Sequence, residues 1–150
     1  MTQLNGLFSL RKPVDLVAKL DHDLRRWLTA VDPISKEAQY AAFDFFVTAE
    51  HLPDWGCHAG DGSRMSLREY RYGAVVSHVA TGAKHFRADD PKHKTVKDTL
   101  SVLGAFQSNA FQNDAFQTSR LLVDLEEGSA VAALDVAREV LAHWQNKYPT

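Results

Sequence analysis

The stretch from Lys36 to Leu52 constrains this chain more than any other. Wound as a helix it is apolar nearly all round, with Ala41, Ala42, Phe45, Phe46, Val47 and Ala49 distributed over its faces. A helix that buries most of its circumference needs neighbours on several sides, which predicts the central member of a helical bundle. Ser35 is suited to cap its start, and Pro53 is expected to end it. One face breaks the apolar rule. Asp44, Thr48 and His51 fall at helical spacing and make a polar stripe along the rod.

The neighbours can be read from periodicity. Pro13 to Val31 places Val17, Leu20, Leu24, Trp27, Leu28 and Val31 on one helical face, with the proline in the first turn and Asp15 near the positive end of the helix dipole. Asp54 to Ser63, with Gly56, Gly60 and Gly62, reads as a loop. Ser66, with Glu69 three residues on, predicts the start of a third helix whose core face is Tyr72, Val75, Val76, Val79, Ala83 and Phe86. The charged stretch from Arg87 to Lys94 interrupts the pattern. Val96, Leu100 and Val102, and then Leu121, Val123 and Leu125, recur with period two and predict an antiparallel strand pair. Gly128 and Ser129 lead into a last helix from Ala130 to about Tyr148, burying Val136, Ala137, Val140, Leu141 and Trp144. The expected fold is mainly α, a four-helix bundle with an inserted antiparallel β-hairpin, in one domain over residues 1–150.

Composition narrows the function. Hydrophobic residues make up 45% and charged ones 24%, a globular rather than a disordered balance. A net charge of -2 supplies no general attraction to nucleic acid, so any RNA contact has to come from a local patch. Lys92, His93, Lys94 and Lys97, with Lys84 and Arg87, form the one basic cluster. Cys57 is the only cysteine, which excludes an intramolecular disulfide and fits a reducing compartment. Met1 to Lys12 carries no sustained apolar run, and no segment approaches the roughly 18 apolar residues of a membrane span. A cytoplasmic chain without a membrane partner is expected.

Between the strand candidates lies an internal repeat, Gly104-Ala-Phe-Gln, Asn109-Ala-Phe-Gln and Asp114-Ala-Phe-Gln, with Phe106, Phe111 and Phe116 at a period of five. Five matches neither a helix nor a strand. Three units cannot close the stacked coils of a solenoid. The phenylalanines either pin a long loop onto the bundle or anchor a partner, which makes a noncatalytic protein-interaction module one functional reading.

Arg71, His78 and His85 lie seven residues apart and return to nearly one helical face, a second polar stripe facing that of Asp44, Thr48 and His51. The Arg71-x6-His78 spacing resembles the motif of the HEPN ribonucleases, which are compact helical proteins. The resemblance covers one helix, and Tyr72 stands where that family usually has a polar residue. It implies a homodimer in which the two residues meet to cleave RNA without metal or cofactor. By that resemblance Arg71 holds the phosphate and His78 moves the proton. The chemistry is sound, because a guanidinium binds two phosphate oxygens at once and an imidazole titrates near neutrality.

A second resemblance covers most of the chain. Phe45-Phe-Val-Thr-Ala-Glu-His51-Leu-Pro-Asp54-Trp55, with Gly82-Ala-Lys84-His85-Phe86 and the Ala-Phe repeat, is similar to a set of small uncharacterised bacterial proteins. It implies the element order and marks His51, Asp54, Trp55, Lys84 and His85, without a mechanism. Metal binding is another reading: His51, Asp54, Cys57 and His58 lie within eight residues, and His78 or His85 can approach from the next helix. Their spacing matches no established metal motif. The plainest alternative is structural, with Arg71 paired to Asp44 and with His78 and His85 on a solvated flank. His22, His93 and His143 call for no function.

Overall fold

The computed structural model describes residues 3–103 and 119–150. The phenylalanine repeat, and with it the interaction reading of Phe106, Phe111 and Phe116, lies outside the described residues.

Helix α1 spans Pro13–Leu28. The Asp15 carboxylate accepts from the backbone N–H groups of Arg11 and Lys12 at 2.7 and 2.8 Å, satisfying donors that a helix start leaves open. The helix stops earlier than periodicity predicted. Val31 is fully solvent-exposed and Leu28 half-exposed, so the apolar face ends with Trp27.

Helix α2, Lys36–His58, begins at Ser35, whose hydroxyl accepts the Ala38 N–H. Pro53 does not end it. The proline is fully buried inside a helix that runs on to His58, so the expected loop from Asp54 starts only after α2. A proline at this position removes one backbone hydrogen bond. Packing of the following turn offsets that loss, since Leu52 and Gly56 are both buried and Gly56 lies against Leu67 and Tyr148. The aromatic knot of the core follows from α2: Trp27, Phe45 and Phe46 meet with ring centroids 5.7 to 6.3 Å apart, Phe45 edge-on to both neighbours.

The expected third helix is divided. Ser63, not Ser66, caps the single turn α3, Arg64–Leu67, and α4 begins only at Gly73 and runs to His85. The break has a steric cause at Gly73, where a Cβ would stand 1.9 Å from the Arg68 carbonyl oxygen, so only glycine permits the chain to fold back this closely. Arg71 therefore stands in the turn before α4 rather than on its face. Phe86, predicted in the core, is 94% exposed at φ 65°, a backbone region that phenylalanine rarely adopts and where α4 stops.

Strands β1, Val96–Val102, and β2, Arg120–Leu125, pair antiparallel, with Val96 opposite Leu125 and Thr99 opposite Val123. A third strand, β3, Ala130–Ala132, adds to the other side of β2 and gives the sheet order β1-β2-β3. It takes the three residues assigned by periodicity to the start of the last helix, so α5 runs from Ala133 to Lys147. Ladder bonds to β2 claim those residues before the helical pattern does. The chain is mainly helical with this small antiparallel sheet. One hydrophobic cluster joins α1, α2, α4, α5, β1 and β2, with Phe45, Val76, Val123, Val140 and Trp144 all nearly or fully inaccessible to solvent.

Candidate functional site

The polar stripe of α2 does not face that of α4. Asp44 pairs with Arg26 of α1, and Thr48 joins a buried group with Lys19 and Asp23. Asp23 is 1% exposed and holds the Lys19 ammonium at 2.6 Å, and that ammonium also donates to the Thr48 hydroxyl at 2.9 Å. The polar link from α2 to α4 uses a residue outside the stripe: Glu50 accepts from the Ser77 hydroxyl at 3.2 Å and pairs with Arg68 at 3.1 Å. His51, half-buried, has its pKa lowered by burial and by Lys84 and Lys19, with Asp54 and Glu50 opposing. Asp54 pairs with Arg64 at 2.9 Å and lies 3.7 Å from Arg68. Trp55 packs half-buried on the core, while Lys84 and His85 are exposed in the last turn of α4. Among the described residues, no three His, Cys, Asp or Glu side chains are grouped to hold a metal ion.

Arg71 and His78 have different surroundings. The Arg71 guanidinium pairs with Glu139 of α5 at 2.8 Å, not with Asp44, and lies over the Tyr72 ring. It lines an open cleft of about 620 Å³ with Arg120, Asp135, Arg138 and Glu139. His78 is on α4, against the start of β1. Its Nδ1 accepts the Val96 backbone N–H at 3.0 Å, and its ring stacks on His93 at 4.9 Å between centroids. His78 is partly buried: burial lowers its pKa, the charge of His93 lowers it further, and Glu126 opposes both.

His78 lines a second cleft, of about 550 Å³, enclosed by α2, α4 and the β1–β2 pair. Phe43 and Phe46 come from α2, Val79, Gly82 and Ala83 from α4, and Val96, Leu100, Leu121 and Val123 from the strands. Thr99, Ser101, Lys97 and Asp98 add polar groups along β1. Phe43, Phe86 and Leu100 line the cleft and remain 49%, 94% and 40% exposed, an apolar surface without cover among the described residues. The period-two pattern put Leu100 on one side of β1 with Val96; across the register irregularity between Val96 and Asp98 the two part, Val96 being buried and Leu100 standing at the cleft opening. A Cβ on Gly82 would meet nothing within 4 Å, so the α4 wall stands back from the opposite side there.

Sequence reasoning passed over the residues that organise both regions. Asp23 had a readable signal, lying between core positions Leu20 and Leu24 and four residues after Lys19. His93 had none, because its role comes from a stacking contact made across a loop. Comparison of the chain with protein-family models, with curated proteins and with solved structures finds no match. No helix among the described residues is long and apolar enough to cross a membrane.

Proposed function

We propose that this chain is a binding protein for a small, largely apolar molecule carrying a hydrogen-bond acceptor, held in the cleft between α2, α4 and β1–β2. The wall chemistry carries the reading. A concavity of about 550 Å³, walled mainly by Phe, Val, Leu and Ala with polar groups concentrated along β1 and at Gln39 and His78, matches the size and lining of small-molecule sites, which span roughly 300–1,000 Å³. His78 supplies the donor: its Nδ1 is occupied as an acceptor, so in the neutral ring the proton is on Nε2.

An RNA endonuclease built on Arg71 and His78 has weaker support. Arg71 stands off the helix that carries His78, is paired with Glu139 and lines the other cleft. The test of the binding reading is saturable enhancement of a neutral naphthylamine dye by the wild-type protein, compared with Gly82→Trp. Gly82 lines the cleft and a Cβ there meets nothing within 4 Å, so an indole at this position is expected to occupy cleft space while α4 stays intact. Saturable binding that disappears in the variant, with an unchanged melting curve, is the expected result. No saturable binding by the wild type, or equal binding by the variant, would overturn the proposal.

A further inference from the structure

The way α4 is tied to β1 carries a regulatory consequence for the cleft just described, and the inference rests on that cleft being the binding site. Val96 opens β1, and its N–H is held by a side chain of α4, His78 Nδ1, at 3.0 Å. His93, from the loop before β1, stacks on the same imidazole with 24° between the ring planes. His93 Nε2 is shielded from solvent and has no hydrogen-bond partner among the described residues. The bond to Val96 requires a neutral His78 ring. An imidazolium has no acceptor nitrogen to offer the Val96 N–H, and two stacked imidazolium cations repel in a partly desolvated site.

We propose that His78 and His93 form an acid-opened latch that holds the β1 wall of the cleft to α4. Protonation of His78 ejects the Val96 N–H from its acceptor and sets a charge against His93, so the wall loosens and a bound apolar molecule loses contact. The groups around the latch do not cancel this. Among the described residues, Glu126, in the turn after β2, is the acidic group whose charge favours the protonated ring, and His93 works against it. Of the cleft-lining charges, Lys97 and Asp98 on β1 are opposite in sign, and the α2 wall presents Gln39, Ala42, Phe43 and Phe46, none of them ionisable.

The direction of the pH effect follows from the lowered pKa of His78. The folded state favours the neutral ring, so stabilisation of the latched form is complete well above the ordinary value of 6.5 and is lost as pH falls below it. The decisive experiment measures amide hydrogen exchange at Val96 in the unliganded protein at pH 7.5 and pH 5.0, as protection factors that remove the intrinsic pH dependence. Naphthylamine dye affinity is measured at the same two pH values. Protection at Val96 is expected to fall about tenfold on acidification, the equivalent of one hydrogen bond, with a parallel fall in affinity.

His78→Asn keeps an acceptor that does not titrate, and both pH ratios are expected to approach one in it, whatever its affinity at pH 7.5. His93→Phe keeps a ring to stack without the charge that opposes protonation of His78, and it is expected to reduce, without abolishing, the acid-induced fall in protection, which supplies a second reading if the asparagine variant folds poorly. Protection at Val96 that is independent of pH, or a pH effect that survives in His78→Asn, would overturn the latch. Lost protection with unchanged dye affinity would overturn its control of the cleft. Absence of dye binding at both pH values refutes the binding reading by itself, while hydrogen exchange still decides the latch.

Discussion

The α1–α2 side and the α4–β1 side of this molecule are held together by different physics. Between α1 and α2, Trp27, Phe45 and Phe46 interlock, and the Lys19–Asp23–Thr48 group satisfies the polar atoms that the interface buries. Between α4 and β1 the core opens into a cleft, and a histidine–backbone bond with one ring stack ties the two elements beside it. Close packing makes the first region a rigid platform, since any lost volume there is felt at once. The second can adjust, because its contacts are few and one of them depends on protonation. Phe45→Ala probes that contrast with the largest expected effect. Removing a fully buried ring from the knot should cost about 3–5 kcal/mol, seen as a lower urea midpoint reported alike by tryptophan fluorescence and circular dichroism. A loss below about 1 kcal/mol would mean that the α1–α2 side collapses around a cavity, and the contrast between the regions would fail.

A smaller effect is expected where the chain passes from one region to the other. Gly73→Ala places a methyl group on the Arg68 carbonyl, a backbone atom that cannot swing aside, so the turn over residues 68–72 or the start of α4 has to shift. The cost should be about 1–3 kcal/mol, in the range of other overpacking changes, measured by the same urea titration. An unchanged midpoint would show that the turn yields freely. The entry to α4 would then be as adjustable as its far wall, and the boundary between the regions would move towards α2.

That glycine also marks where the sequence ceased to be legible. Apolar periodicity located the central helix, the strand pair and most of the core, because burial of Phe45, Leu52, Val76 or Val140 depends on a face repeated over several turns. Three failures share one cause, a tertiary contact stronger than a local signal. Pro53 is carried inside α2 by packing on both sides, Ala130–Ala132 are drawn into the sheet by β2, and Gly73 allows a fold-back that no periodic pattern encodes. The candidate site was less legible still. A seven-residue spacing puts Arg71 and His78 on one face only if one helix runs through both, and the fold-back at Gly73 interrupts it. The cleft walls come from α2, α4 and two strands, so no short motif could announce them.

The ion pair between Arg71 and Glu139 gives the smallest expected effect and sharpens the comparison from its other end. Its side chains are 72% and 46% exposed, so water screens most of the attraction and two long side chains lose rotamer freedom to keep it. A double-mutant cycle with Arg71→Ala and Glu139→Ala should give a coupling of about 0.2–1 kcal/mol. The single Arg71→Ala change should also leave naphthylamine dye binding intact, because Arg71 lines the other cleft. A coupling well above 1 kcal/mol would make the approach of α4 to α5 a rigid joint, and the adjustable region would shrink to the latch and β1. Dye affinity that falls with Arg71→Ala would join the two clefts energetically, and Arg71 and His78 would then act in one functional unit.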